Sequence, residues 1–260
     1  MQRRWAIETD AEPAQTRAMA SGLRIPTSLA FVLRRRGYGD AETARRFLEP
    51  RLRELSDPFL IPAMDAAVER IFDAFTHDER IVLHGDYDVD GISSLALLHN
   101  VFSAYGHPPQ CFLPLRMDEG YGLTPDGLCR CIDTHKPHLL IAVDCGTNSV
   151  EEISWLAQRG VDVIVLDHHE PKPSLPDCAA LVNPKLGTDF HYFCSAGLAF
   201  KLAHALLKSQ PIDGFDLREQ LDLVALGTLA DLVPLRDENR ILTRSGLARM
   251  SQTGSLGLKA

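Results

Sequence analysis

Up to about residue 78 the apolar positions recur at helical spacing. From residue 81 they gather into short unbroken runs separated by amphipathic stretches. In the first part, PTSLAFVLRRRG (26–37) carries one apolar face, with Pro26 near its start and Gly37 at its end. DAETARRFLEP follows, with Asp40 suited to an N-cap and Pro50 to a stop, and a third helix is expected over 63–77. In the second part the runs IVLH (81–84), QCFLPL (110–115), LLIAVD (139–144) and VDVIVLD (161–167) read as strands, and CAALVNP (178–184) as a further candidate. Helical stretches lie between them: GISSLALLHNVFSAYG, TPDGLCRCIDTH and SVEEISWLAQRG. From about 195 the chain reads mainly helical, in SAGLAFKLAHALLKS, DLREQLDLVALGTLADLVPL and ENRILTRSGLARM. Apolar strands alternating with helices predict an α/β fold, a doubly wound and mainly parallel sheet flanked by helices. The expected division is a small helical N-terminal extension over 1–78, a catalytic domain over 79–235, and the start of a connecting helix over 236–260.

Composition narrows this reading. A chain of 260 residues, 45% hydrophobic, is long enough for one large domain plus an extension. No apolar run reaches the roughly 18 residues of a membrane span, and MQRRWAIETDAEP lacks the apolar core of a signal peptide. The six cysteines, Cys111, Cys129, Cys131, Cys145, Cys178 and Cys194, form no CxxC pair and read as reduced thiols of a cytoplasmic protein. The net charge of −8 taken alone argues against a nucleic-acid partner. It is unevenly spread, however. The first 80 residues hold 13 basic and 13 acidic side chains, with arginines clustered at 34–36, 45–46, 51 and 53, so the whole excess lies in the remainder. A carboxylate cluster that holds divalent ions would also overstate the effective negative charge.

The polar residues of that remainder fall where three strands end. IVLH runs into His84, Asp86, Asp88 and Asp90; LLIAVD ends in Asp144; VDVIVL ends in Asp167, His168 and His169. In open parallel sheets ligands bind at the carboxyl ends of the strands, so these residues would meet at one edge. His84, Asp88 and Asp90 form an HxxxDxD pattern, and carboxylate with some imidazole suits manganese, and magnesium less well. Four or more carboxylates exceed what one ion needs and point to a pair of ions, with Asp144 placed to bridge. Asp231 joins as a further candidate because it interrupts the apolar stretch LGTLADLVPL. Each element has a plainer reading by itself. The DxDxD run could be a solvated loop or a weak calcium site, the His pair surface, and Asp144 or Asp231 a helix cap. Their agreement at three strand ends favours a dinuclear site.

HGDYDVDG, AVDCG, LDHHE and LGTLADLVPL resemble, in order, the four motifs of the DHH phosphoesterase superfamily. The form DYDVDG, together with RMDEGYGL (116–123) and GTLADLVPL, is similar to its single-strand-specific 5′→3′ exonucleases, over about residues 20–255. The resemblance implies two Mn2+ ions, with Mg2+ as the alternative. His84, Asp88 and Asp144 would hold one, and Asp90, Asp144, His168 and Asp231 the other. Asp86 would support the first motif or contact metal-bound water, and His169 would contact the scissile phosphate or assist the leaving oxygen. Arg116 and the GYG turn after it would lie near the nucleic-acid path, with Tyr121 as the best candidate for base stacking. Ser195 and Gly197 would offer backbone N–H groups to a phosphate, unless Ser195 merely caps its helix. The implied activity is release of 5′-mononucleotides from the 5′ end of single-stranded DNA, in repair and recombination. The implied partners are single-stranded DNA, with a single-strand-binding protein and a helicase as further candidates, and a monomer is the default. Members of this family continue into a connecting helix, a domain with a GGH-type motif and an OB-fold, whereas this chain stops at SLGLKA. The expectation is therefore a catalytic domain without its clamp. Two other readings stay open: hydrolysis of short oligonucleotides or other small phosphoesters, and an inactive metal-binding module.

Overall fold

The computed structural model describes residues 13–115 and 117–259. Two compact units divide between Arg51 and Leu52. In the first, helices α1 (Pro13–Leu23), α2 (Thr27–Arg35) and α3 (Ala41–Leu48) close around Met19, Ala20, Ala30, Leu33 and Ala44. Asp40 caps α3 as expected, accepting from the N–H groups of Glu42 at 2.8 Å and Thr43 at 2.9 Å. Helix α1 was not expected from the sequence. PAQTRAMASGL buries only Thr16, Met19 and Ala20, too sparse a stripe to show a period.

The second unit begins with α4 (Met64–Thr76), which buries Met64, Ala67, Val68, Ile71, Ala74 and Phe75 in the main core. The sequence reading had grouped this helix with the N-terminal extension. Then follow β1 (Ile81–Gly85), α5 (Val89–Ala104), β2 (Gln110–Phe112), α6 (Pro125–His135), β3 (Leu139–Val143), α7 (Val150–Ala157), β4 (Asp162–Leu166), β5 (Ala180–Val182), α8 (Ser195–Ser209), α9 (Leu221–Ala230) and α10 (Asp237–Met250). The five strands form one sheet in the order β2-β1-β3-β4-β5, and every pairing is parallel.

Side chains alternate across that sheet with period two. Ile81, Leu83, Leu139, Ile141, Val143, Ile164 and Leu166 enter a core shared with α4, α5, α8, α9 and α10. Val82, Leu140, Ala142, Val163 and Val165 enter a second core with α6 and α7. Both faces are covered, which is why these strands are apolar throughout. The fold is thus a doubly wound parallel sheet with helices on both faces. β2 stops at Phe112 although apolar residues run to Leu115. It is an edge strand with Gln110 and Cys111 exposed, and Pro114 has no N–H to continue a ladder.

Helix α10 lies so close to α9 that a Cβ at Gly246 would sit 2.0 Å from the Leu221 carbonyl, so only glycine allows the crossing. Beyond it, the Thr253 hydroxyl donates to the buried Asp222 carboxylate and ties the chain back to α9. Among the described residues no helix is long and apolar enough to cross a membrane.

Candidate metal centre

The strand order reverses direction between β1 and β3, and in such sheets that switch point opens a crevice at the carboxyl ends. Asp86, Asp144 and Asp167 are each the first residue after a strand, following β1, β3 and β4. All three are buried, at 2%, 2% and 1% exposure. Beyond Asp86 the chain turns at once into α5. Asp88 caps that helix through the Gly91 N–H (2.9 Å), and Asp90 lies in its first turn. Gly91 is required here, since a Cβ would lie 2.5 Å from the Asp86 carbonyl. After β3 the chain leaves through Asp144 at φ +64° and Gly146 at φ +106°. Asp144 is thus held in the left-handed region, which Asp and Asn tolerate better than other side chains.

Three sets of side chains place one ligand atom each within 4.8 Å of one another: Asp86, Asp88 and Asp144; Asp90, His168 and Asp231; and Asp144, His168 and His169. Asp144 joins the first set to the third, and His168 joins the last two. Its Nε2 lies 3.3 Å from Asp144 Oδ1, 3.7 Å from Asp231 Oδ2 and 3.9 Å from Asp90 Oδ2. Asp231 is the C-cap of α9, so the helix ends where the site needs a carboxylate. Asp90 is gripped by the N-terminus of α8, with Ser195 N–H donating at 2.6 Å and Ala196 N–H at 2.9 Å. The Ser195 hydroxyl donates to Asp144 Oδ1 at 2.9 Å. Gly227 of α9 leaves room for Asp90, as a Cβ there would come within 2.6 Å of Oδ1.

Burial, and then the Asp144 charge, push the Asp90 carboxyl up to about 7. Burial raises Asp144, with Asp88 adding to it, and burial and Asp88 raise Asp231 as well. Burial alone would depress the His168 imidazole, but Asp144, Asp90 and Asp231 outweigh it and raise the ring above its usual value. Asp90, Asp144 and Asp231 thus share the His168 imidazole, with Asp86 and Asp88 gathered on the other side of Asp144. All the donors are hard oxygens or imidazole nitrogen, which fits a pair of divalent cations of the magnesium or manganese type.

His169 stands at the edge of this cluster, beside Asp144 and His168. Its Nδ1 lies 2.7 Å from Asp167 Oδ1, and its backbone N–H reaches the same oxygen at 3.2 Å. Burial would raise Asp167, but His169 and Thr147 hold that carboxyl well below the usual range. The hydrogen bond to Asp167 in turn raises His169 to about 9, against burial. On its far side the ring meets the Tyr121 hydroxyl, 3.2 Å from Nε2. Asn183 fixes the loop from below, donating to the His169 carbonyl at 2.9 Å and to the Thr147 hydroxyl at 3.0 Å.

Residues 80–228 match the family described as "DHH family, N-terminal domain". The chain belongs to the DHH family. It is 39% identical over 259 residues to the single-stranded-DNA-specific exonuclease RecJ of Bacillus subtilis, a match covering 98% of this chain and 32% of that protein. Among solved structures it is similar to RecJ from Thermus thermophilus in complex with Mn2+, with 30% identity, a TM-score of 0.79, and coverage of 95% of this chain and 35% of that one. RecJ of the same organism in complex with Mg2+ matches with 28% identity and a TM-score of 0.66, over 95% of this chain and 31% of that one. The DHH chain therefore spans about a third of the length of these relatives.

The DHH fold brings together Asp86, Asp88, Asp90, Asp144, His168 and Asp231, with His169 beside them. It corrects the expectation for His84. Alternation along β1 turns His84 to the α6–α7 face with Val82, where it stacks on Phe112 at 5.1 Å. Among the described residues neither of its ring nitrogens has a hydrogen-bond partner, and burial lowers it to about 4. Asp86, expected to stand behind the site, is gathered with Asp88 and Asp144 in its place. The N–H of Ser195, expected to meet a phosphate, is taken by Asp90, and so is that of Ala196, while Gly197 closely abuts Phe193. Tyr121 is at the site, and Arg116 lies outside the described residues. The sequence reading gave no role to Asp167, Asn183 or Gly227. Asp167 carried a signal, an acid between an apolar strand and two histidines. Asn183 and Gly227 carried none, since a single amide and a single helical glycine have no period.

Proposed function

We propose that this chain carries the catalytic centre of a single-strand-specific 5′→3′ exonuclease. It would hydrolyse phosphodiester bonds of single-stranded DNA with two Mn2+ or Mg2+ ions and release 5′-mononucleotides, in DNA repair and recombination. The observation that carries this reading is the convergence of carboxylates and His168 at the β1/β3 switch point, in a chain 39% identical to a RecJ. Asp86, Asp88 and Asp144 would hold one ion, and Asp90, Asp144, His168 and Asp231 the other, with Asp144 shared.

Held by these residues, divalent ions would supply Lewis acidity for hydrolysis of a phosphodiester. The chain's own groups do the rest. The α8 N-terminus and Gly227 fix the Asp90 carboxylate in place. The Ser195 hydroxyl and the left-handed backbone orient Asp144. Asp167 accepts from His169 Nδ1, so the proton that His169 can give up is the one on Nε2, beside the Tyr121 hydroxyl. His169 is raised above its usual value by the hydrogen bond to Asp167. It can donate to a phosphoryl oxygen or to the departing 3′ oxygen.

The test is digestion of a long single strand labelled at either end, in Mn2+, with Asp144→Asn as the control. Loss of the 5′ label as mononucleotide, absent in the variant, is the expected result. Metal-dependent cleavage confined to dinucleotides would move the substrate to short phosphodiesters. No turnover of either would overturn the proposal.

A further inference from the structure

The resemblance casts Tyr121 as the best candidate for base stacking, and the structure leaves it half-exposed. Its hydroxyl is engaged otherwise. It donates to the Asp144 backbone carbonyl at 3.1 Å and lies 3.2 Å from His169 Nε2. The two rings meet edge to face, with centroids 6.1 Å apart. With Asp167 on Nδ1, the His169 imidazole is thus held at both nitrogens. The phenol ties it to the strand end that delivers Asp144.

The turn that presents Tyr121 is itself built. Gly120 at φ +80° and Gly122 at φ +74° flank it, both in the region that favours glycine. Glu119, immediately before, is buried to 8% at its side chain and clamps the segment. Its carboxylate accepts from the Leu115 N–H at 2.7 Å and from Arg130 Nε and Nη2 at 2.6 and 2.7 Å. Arg130 also donates to the Leu113 carbonyl at 3.0 Å and packs over the Phe112 ring at 4.1 Å. A bidentate guanidinium–carboxylate pair of this kind fixes geometry as well as adding energy.

We infer that Tyr121 is a positioning residue for His169, acting through its hydroxyl, and that the Glu119–Arg130 pair holds it there. This assignment rests on the reading of His169 as the group that meets the phosphate. Without the hydroxyl the ring keeps Asp167 as an anchor at one nitrogen and can swing about it. Small displacements of a group that must meet a reacting oxygen cost rate rather than binding.

Tyr121→Phe keeps the ring and removes the hydroxyl, whereas Tyr121→Leu removes both. Each is assayed in Mn2+ on a long single strand and on bis(p-nitrophenyl) phosphate, which has no base to stack. Positioning requires Tyr121→Phe to lower kcat roughly three- to ten-fold on both substrates, the value of one hydrogen bond, with KM unchanged. Arg130→Ala, which loosens the clamp and spares the hydroxyl, lowers kcat by a smaller factor, about two- to three-fold. Independently of turnover, the His169 imidazole signal in a 15N-labelled, Mg2+-loaded chain, identified by its loss in His169→Gln, shifts in Tyr121→Phe. Unchanged kcat on both substrates, with a rise in KM only for Tyr121→Leu on the long strand, would mean stacking and overturn the assignment. An unshifted imidazole signal would overturn it too. A wild-type chain that turns over neither substrate defeats the exonuclease reading, and the imidazole signal then decides the Tyr121 assignment alone.

Discussion

Two of the places where the second unit buries charge differ in how closely opposite signs are paired. In one, Lys201 of α8 is fully buried, with its ammonium 2.8 Å from Glu238 of α10, 2.8 Å from the Ser56 carbonyl and 3.0 Å from the Ser56 hydroxyl. Ser56 in turn donates to the other oxygen of Glu238 at 2.6 Å. Burial lowers the lysine below its usual value and Glu238 opposes that, so the group closes on itself. In the other, at the strand ends, Asp86, Asp90 and Asp144 are buried with Asp88 and Asp231 at their rim, His168 faces Asp90, Asp144 and Asp231, and those three carboxyls are raised. A buried ion pair that balances within the chain ties elements together. A buried cluster of one sign asks for ions from outside.

Asp144→Asn is the sharpest way to break the contrast, because asparagine tolerates φ +64° whereas alanine would add backbone strain. It should cut turnover on the order of 10³–10⁴-fold. In a chelator it should also raise the melting temperature, since one of the repelling carboxylates is gone. Activity assay and calorimetry on the same preparation check both. At the balanced site the effect reverses. Glu238→Ala leaves Lys201 buried and alone and should destabilise the fold by about 3–5 kcal/mol, read by urea denaturation. Mn2+ affinity of the folded fraction, by titration calorimetry, should not move. Lys201→Met with Glu238→Leu should recover most of the loss.

Metal supplies the missing sign, so Mn2+ at a hundred times its dissociation constant should stabilise the chain by about 2.7 kcal/mol, measured as a melting shift against chelator. No such shift is expected in Asp144→Asn at that concentration.

The smallest effect is the pH dependence of the metal-free chain. Asp90, Asp144 and Asp231 are raised above their unfolded values, so the folded state binds more protons than the unfolded one between about pH 4 and 7. His169, raised to about 9, extends the trend, contributing stability that is present below its unfolded value and lost as pH rises through 9. In chelator the melting temperature should therefore fall from pH 5 to pH 8. Apparent Mn2+ affinity should climb over the same range, because the ion displaces protons that are fewer at higher pH. A flat melting profile, or an affinity independent of pH, would remove the idea that these carboxylates are protonated when no ion is bound.

Much of this was legible before the fold was known. Three apolar runs, each leading into acidic residues, marked β1, β3 and β4, and Asp231 stood out because a lone carboxylate in LGTLADLVPL has no local reason to be there. The error at His84 came from a strand end misplaced by one residue. With β1 running to Gly85, His84 is still inside the strand, and alternation sends it to the wrong face. Ser195 showed as a polar residue opening a helix, but the sequence could not say that the anion at that N-terminus would be the chain's own Asp90. Helix α4 was visible as a helix and invisible as part of the sheet's core, since amphipathicity gives a helix a buried face without naming what covers it.

By itself the sequence determined the class of fold and the inventory of ligands. Hydrophobic period and turn chemistry are local, and a doubly wound sheet follows from strands alternating with helices. What only the tertiary structure decided was partnership. Asp167 on His169, Tyr121 across the same ring, Asp90 under the α8 N-terminus and beside Gly227, and Lys201 against Glu238 join residues separated by 2, 48, 105 and 37 positions, with only the first pair near in sequence. Those distances close because packing the sheet between two layers of helices fixes where each strand end and helix terminus must lie. No local pattern encodes that constraint.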